Sequence, residues 1–394
     1  MTLSQGRDLF MTPGPSVIPD RVLNAMHRAA PNIYEGDLMG VVDEILLNLK
    51  KVARTKGAPS IYICNGHGVW EAALHNVIAP GEKVLCLATG RFGNGWASVA
   101  EQLGAEVDLL DFGANTSFDA DKVEAVLRAD KDHKIKALMS VHTDTSTSVS
   151  NNVPRLRAAL DATNHPALLM IDCIASLGCE RFEMDEWGVD VMVAGCQKGL
   201  MTPPGLAFTF HNDKATAVSQ KIKKTSPYWD WEPRTTGTVF YQKFGGTAPT
   251  HHLFGLCEAL KMMHSEGMEN VWARHEKQAR AIWAAVDKWA EGGTLNFNVP
   301  DPSDRSFAVT TIVSDTYNLT DLRTWCEKEA GLTLGIGLAL IGPGGDDVFR
   351  IGHMGHMNPT MLLGALASID AGLKAVGIPH GYGAVEAATR VLIG

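Results

Sequence analysis

The sequence predicts an α/β protein: a large doubly wound sheet domain of about seven strands, followed by a smaller C-terminal α+β domain. Three observations predict it. Between residues 57 and 210, apolar runs rich in Val, Ile and Leu take turns with stretches of helical periodicity. Most of those runs show no in–out alternation, as expected of strands covered by helices on both faces. Past Gly245-Gly246-Thr247 the texture shifts to one long helical stretch and then to mixed strands and helices.

In chain order, residues 1–20 read as an N-terminal arm that packs elsewhere, a partner subunit being one candidate seat. Strands are expected at 60–64, 83–88, 106–110, 135–141, 167–172, 190–195 and 206–210. Helices at 69–78, 95–103, 121–129 and 153–163 lie between them. Asp119 and the run Asn151-Asn152-Val153-Pro154 supply capping and first-turn signals for two of these. Residues 253–289 carry helical periodicity broken near Gly267, and connect a large domain over 21–255 to a small one over 256–394. Strands at 307–313 and 348–351, with helices at 319–329 and 360–375, complete the small domain.

Bulk properties narrow the function. A chain of 394 residues suits a large core plus a smaller one. Its 35 basic and 44 acidic residues leave a net charge of −9, which argues against nucleic acid or an anionic membrane as the main partner. No apolar run approaches the length that spans a bilayer. The first residues lack a basic-then-apolar signal and the last lack a targeting tripeptide, so a cytoplasmic location is expected. The cysteine count of seven is odd, and Cys64, Cys86, Cys173 and Cys196 fall in or beside buried strands. They read as small core residues in a reducing compartment. No Cys/His spacing suggests zinc, His251-His252 and His353/His356 are too loosely placed, and no metal is expected.

The chemistry gathers at strand ends. The apolar run 191–197 ends in Lys198, followed by Gly-Leu-Met-Thr-Pro-Pro-Gly, and the run 167–171 ends in Asp172. Two strands thus deliver an amine and a carboxylate at carboxyl ends, the edge where open α/β sheets bind ligands. Singly, they are also what ordinary strand-end charges look like. Together, a lysine that can form a Schiff base and an aspartate that can keep a pyridinium nitrogen protonated are the minimum equipment for pyridoxal 5′-phosphate. The turn Asn65-Gly66-His67-Gly68, between a strand and a helix, lets backbone amides approach an anion, though a plain tight turn has the same look. Phe92 follows another strand where it could stack on a flat ring or simply fill the core. His142-Thr-Asp-Thr145-Ser146-Thr147 offers a hydroxyl-rich edge, for a phenolate oxygen or for capping.

In this order and spacing the residues carry a family resemblance. The marks are Thr12-Pro-Gly-Pro-Ser16, the Asn65-Gly-His-Gly turn before Trp70-Glu71, and His142 through Val149. Asp172-Cys-Ile-Ala-Ser176, Gly195-Cys-Gln-Lys-Gly199, Thr247-Ala-Pro249 and Phe349-Arg-Ile-Gly352 complete them. Over nearly its whole length the chain resembles class V aminotransferases of the PLP-transferase fold type I, most closely the alanine-, serine- and aspartate–glyoxylate group. The resemblance implies a large, mostly parallel sheet, pyridoxal 5′-phosphate as cofactor and a homodimer with active sites at the subunit interface. It makes Lys198 the Schiff-base lysine, Asp172 the partner of the ring nitrogen, Phe92 the stacking ring and Thr145 the hydroxyl near the phenolic oxygen. Asn65, Gly66, His67 and Gln197 would meet the phosphate, joined by Thr247 of the neighbouring subunit. Arg350 would clamp the substrate carboxylate, helped by Ser176 and the backbone near Gly14.

Physical chemistry supports these roles. A carboxylate beside the ring nitrogen makes the ring an electron sink, and a lysine freed by the substrate amine can move the Cα proton if its site lowers its pKa. The planar fork of Arg350 matches a carboxylate bidentately, and its alternative use is a salt bridge with Asp346 or Asp347. Two departures stand out. Where many glyoxylate aminotransferases have His-Arg-Ser this chain has Ile33-Tyr34-Glu35, and where some relatives have a phosphate-binding tyrosine it has Phe244. The expected activity is ping-pong transfer of an amino group from serine, alanine or aspartate to glyoxylate through pyridoxamine phosphate, giving glycine and a 2-oxo acid. Glyoxylate is small, so crowding by Tyr34 or Trp96 would favour it. Alternatives are pyruvate as acceptor, including a pyridoxamine–pyruvate type, or a cysteine desulfurase-like lyase, which a helical Cys326 argues against. A non-catalytic binding protein on the same scaffold remains the reading of another class.

Overall fold

A computed structural model describes residues 4–338 and 346–394. The chain begins with β1 (Leu9–Met11), α1 (Asp20–Met26) and α2 (Asp37–Ala53). It continues as β2 (Ala58–Tyr62), α3 (Gly66–Val77), β3 (Lys83–Ala88), α4 (Arg91–Gln102), β4 (Glu106–Asp111) and α5 (Ala120–Ala129). Next come β5 (Ile135–Val141), a short ribbon of β6 (Thr143–Asp144) and β7 (Val149–Ser150), α6 (Val153–Ala162), β8 (Leu168–Asp172), β9 (Val191–Gly195) and β10 (Ala207–His211). Helices α7 (Asp213–Ser219), α8 (Glu232–Thr236), α9 (Thr250–Glu266) and α10 (Met268–Ala290) lead to the last part. That part holds β11 (Asn296–Phe297), β12 (Val309–Val313), α11 (Thr320–Ala330), β13 (Leu332–Ile336), β14 (Val348–Gly352), α12 (Pro359–Ala375) and α13 (Ala384–Ile393).

The seven expected strands form one sheet in the order β2-β10-β9-β8-β5-β3-β4. All neighbours are parallel except β10, which runs antiparallel to both β2 and β9. The carboxyl ends of β2, β3, β5, β8 and β9 therefore share one edge. Strand residues alternate between two cores even though the sequence does not alternate. Leu169 and Ile171 of β8 join the core under α2, α6 and α9, while Leu168 and Met170 join the one under α3 and α4. The exception is β4, an edge strand whose Leu109 is 45% exposed. It is not the doubly covered strand that its apolar run suggested.

Helix α2 shows how the layers hold. Leu38, Val42, Ile45, Leu49 and Val52 form one apolar stripe, all buried. Each such side chain contributes about 1.5–3 kcal/mol, so an Asp at 45 would disrupt the seam with α9. The expected break at Gly267 separates α9 from α10 because φ there is +87°, a conformation that L-residues avoid. The second sheet, β1-β13-β14-β12-β11, has its own apolar core with α10, α12 and α13. The N-terminal segment has a seat on this second sheet. Leu9–Met11 pairs parallel with residues 332–334 of β13 in the same chain, from Leu9↔Leu332 through Met11↔Leu334. That pairing carries Thr12–Gly14 to the edge of the large sheet.

Candidate active site

Five loops meet at the shared strand edge. Asn65, Gly66, His67, Trp70, Phe92, Thr145, Asp172, Gln197 and Lys198 line one cavity of about 260 Å³. Each arrives by a simple local route. Strand β2 ends at Tyr62 and α3 starts at Gly66, with Asn65 as its N-cap, accepting from the His67 and Gly68 amides at 3.1 and 3.3 Å. A Cβ on Gly66 would lie 2.7 Å from Ile174 Cδ1, so a larger residue there would have to push the Ile174 side chain aside. Helix α4 follows β3 and carries Phe92 in its first turn. Its N-cap, Gly90, has no side chain to offer, and the buried Asp144 takes over the capping. Asp144 Oδ2 accepts from the Phe92 and Gly93 amides at 2.8 and 3.2 Å, which ties Phe92 to the loop of Thr145.

Asp172 and Lys198 face this cavity with opposite shifts. Burial pushes the Asp172 carboxyl up to about 7, against the Ile174 amide at 2.6 Å and the Trp70 indole N–H at 2.8 Å, which favour the ionised form. Burial brings the Lys198 amine down to about 8; the Arg350 charge pushes the same way and Asp172 opposes it. Lys198 donates to the carbonyl of Pro13, and a Cβ on Gly14 (φ +100°) would run into the lysine side chain. Gly14 thus closes over the amine with backbone alone. Gln197 Oε1 is buried without a partner among the described residues.

Arg350, in the middle of β14, is 5% exposed and is not itself a lining residue, though it holds the carbonyl of Thr145, which is one. Its Nε donates to Ile336 O at 2.6 Å and its Nη1 to Thr145 O. It forms no ion pair among the described residues. Asp346 instead accepts from Thr320 Oγ1 at 3.1 Å, so the salt-bridge alternative is not what the structure holds. Burial lowers the guanidinium only to about 10, and it keeps its charge at neutral pH.

Several expected residues sit elsewhere. Ser176 is fully buried with its Oγ 2.9 Å from His142 Nδ1, away from the cavity, and does not assist Arg350. Asn65 lines the cavity, but its side-chain oxygen is committed to the helix cap. Thr247, expected to serve the site of a neighbouring subunit, is exposed and outside the cavity of its own chain. Phe244 packs in the core against Phe240, at 5.5 Å between ring centroids, and faces no anion site. Neither crowding residue lines the cavity: Tyr34 is 84% exposed, and Trp96, 1% exposed, stacks behind Trp70. Cys326 is buried on α11 with its thiol pushed up to about 12 by burial, which makes it inert. The reading of the sequence gave no role to Trp70 or Asp144. The signal for Trp70 was available, since a buried indole N–H needs an acceptor. For Asp144 the local pattern shows only the turn in which Oδ1 accepts from the Ser146 amide and hydroxyl at 3.0 and 2.5 Å, while the α4 amides that its Oδ2 caps lie more than fifty residues earlier in the chain.

No helix among the described residues is long and apolar enough to cross a membrane. The family model described as aminotransferase class-V matches residues 12–343. A serine–glyoxylate aminotransferase of Methylorubrum extorquens is 36% identical over 389 residues, covering 95% of this chain and 94% of the relative. An L-aspartate–glyoxylate aminotransferase of Paracoccus denitrificans is 33% identical, covering 96% and 94%. Among solved structures, pyridoxamine–pyruvate aminotransferase from Mesorhizobium loti superposes with a TM-score of 0.90 at 25% identity, covering 100% of this chain and 99% of that one.

Proposed function

Since this chain belongs to the class V aminotransferases and is therefore a transaminase, we propose that it moves the amino group of serine, alanine or aspartate to glyoxylate, with pyridoxal 5′-phosphate as cofactor. The observation that carries the proposal is the pair Lys198 and Asp172, an amine and a carboxylate lining one cavity with pKa values drawn to about 8 and about 7. Relatives named for serine–glyoxylate and aspartate–glyoxylate transfer, each alike over nearly full length, support the substrate class.

The residues present fit the cofactor. The unpaired Gln197 Oε1 marks a side-chain amide with hydrogen-bonding capacity to spare, and the side-chain-free Gly66 opens the N-terminus of α3 to an anion. Gln197, Gly66 and His67 would hold the phosphate, Phe92 the ring face, Thr145 the phenolic oxygen and Asp172 the ring nitrogen. When bound, pyridoxal phosphate supplies a carbonyl that condenses with primary amines and a ring that takes up electron density from Cα.

This chain's own residues do the rest. Lys198, with its depressed pKa, is a base matched to neutral pH and would take the proton from substrate Cα and return it in the reverse half-reaction. Asp172 holds a proton at the ring nitrogen. Arg350, rigidly placed by two backbone carbonyls, keeps guanidinium N–H groups in reserve for a substrate carboxylate. Pro13 and Gly14 close over the amine and limit water. A homodimer belongs to the proposal, with the exposed Thr247 reaching the phosphate site of a second copy. So does a cytoplasmic setting, supported by seven unpaired cysteines, six of them buried.

The likeness to the pyridoxamine–pyruvate enzyme favours one second reading, pyruvate as acceptor. A visible absorption titration separates the readings. Loss of the bound-cofactor band with serine, alanine or aspartate, and its return with glyoxylate, is the expected result. Return with pyruvate alone would favour the second reading. A protein that takes up no cofactor would end the first.

A further inference from the structure

We propose that Trp70 is a positioning residue for Asp172: its indole N–H keeps the carboxylate ionised and turned to the cavity, so that the proton at this site resides on the bound ring. The inference rests on the cofactor reading above and adds a residue whose role nothing in that reading requires.

The geometry is specific. Trp70 Nε1 donates to Asp172 Oδ2 at 2.8 Å, and the Ile174 amide donates to Oδ1 at 2.6 Å. Both donors are of the kind that cannot reverse. An indole N–H and a backbone N–H never accept, so each stabilises the carboxylate. A protonated Asp172 would have to turn its O–H away from both, toward the cavity. Burial and the nearby charge of Asp144 work against ionisation, which is why the two donors matter.

This pairing is not what every indole in the chain achieves. The Nε1 atoms of Trp96, Trp272 and Trp283 are buried without a partner among the described residues. Trp70 is also fixed in its plane. Trp96 stacks on it at 6.3 Å and 18°, and His67 and Phe92 meet it edge-on at 4.8 and 6.4 Å. The residues that would meet phosphate and ring face thus also pin the donor that sets Asp172.

The test uses the stack as its own control. Trp70→Phe keeps an aromatic ring and removes the N–H; Trp96→Phe makes the same change one ring away, at an N–H with no partner. Each enzyme is loaded with pyridoxal phosphate labelled with nitrogen-15 in the ring, and the shift of that nitrogen reports its protonation. In Trp70→Phe we expect a move toward the unprotonated value and a donor half-reaction slowed about tenfold or more, the effect of losing a hydrogen bond to a charge. Trp96→Phe should match the unsubstituted enzyme in both. An unchanged ring-nitrogen shift in Trp70→Phe overturns the inference, and so does an equal change in Trp96→Phe. If Trp70→Phe does not fold, Asp172→Asn gives the reciprocal reading: the Trp70 indole proton should move upfield, and an unmoved proton overturns the inference. No bound-cofactor signal in the unsubstituted enzyme would instead refute the proposed function itself.

Discussion

Two buried polar clusters lie close together in this molecule and are built on opposite plans. Around Glu180, the hydroxyls of Thr143, Ser150 and Ser306 donate to one carboxylate at 2.8, 3.0 and 2.6 Å. Beside it, His142 Nδ1 pairs with Ser176 Oγ at 2.9 Å. Around Asp172, by contrast, the carboxylate has two donors on its inner side and an open side to the cavity, while Gln197 Oε1 has none. Both clusters contain buried carboxylates, serines or threonines and a basic group. What separates structure from chemistry is unspent hydrogen-bonding capacity facing a cavity.

That contrast has measurable consequences. Lys198→Ala removes the only amine lining the open cluster among the described residues, and transamination should fall by about 10⁴-fold or more. Asp172→Ala should cost about 10²–10³ in the donor half-reaction while the fold persists, read by single-turnover absorbance and far-UV dichroism. Near-normal turnover in it would remove the ring-nitrogen role. The closed cluster should answer the other way. Glu180→Ala leaves the buried hydroxyls of Thr143 and Ser306 and the half-buried one of Ser150 short of an acceptor and should lower unfolding stability by about 3 kcal/mol. Its cofactor-loaded kcat should stay within a few-fold of normal. A large loss of kcat at full stability would abolish the distinction.

Arg350 stands between the two plans, half spent on carbonyls of Ile336 and Thr145. Arg350→Lys should raise KM for carboxylate substrates about tenfold or more and change kcat less, because an ammonium cannot reproduce the planar fork. An unchanged KM would make Arg350 a purely structural tie between β14 and the Thr145 loop.

How much of this was legible in the sequence follows the same line. The strands of the large sheet and their carboxyl-end residues could be read because a doubly covered strand must be apolar throughout. Lys198 and Asp172 stand out where such runs stop. The pairing of Leu9–Met11 with Leu332–Ile336 was not legible, because β1 is a three-residue edge strand whose partner is over three hundred residues away. Side-chain direction was the other blind spot. Ser176 lies four residues past Asp172 and looked equally available, yet it turns to His142. Phe244 looked like a lost phosphate ligand and is a core residue. Asp144 looked like one more polar loop residue, and its capping of α4 depends on a loop and helix brought together only by the fold.

The weakest expected effect is a pH response that should differ in kind between closed and open groups. His275, on α10, is fully buried and closed: Nδ1 donates to Val271 O at 2.7 Å and Nε2 accepts from the Gly355 amide at 2.9 Å. Adding a proton at Nε2 destroys that second bond, and burial drives the folded-state pKa down to about 3. A pKa depressed below its unfolded value near 6.5 contributes stability that is complete above about pH 6.5 and is lost as pH falls. Between pH 6.5 and 5.5 His275 alone should cost about 1 kcal/mol. His353, likewise buried and lowered to about 3, adds to the slope. Urea titrations at pH 7 and 5.5 should therefore show a smaller acid loss in His275→Gln than in the unsubstituted protein. Equal losses would mean that His275 is not the group responsible. Lys198 should titrate without any such unfolding. Its amine must be neutral to act as a nucleophile, so cofactor uptake by the apoenzyme should quicken with rising pH and level off above about 8. A rate flat from pH 6.5 to 9 would place the Lys198 amine outside the open cluster's electrostatics.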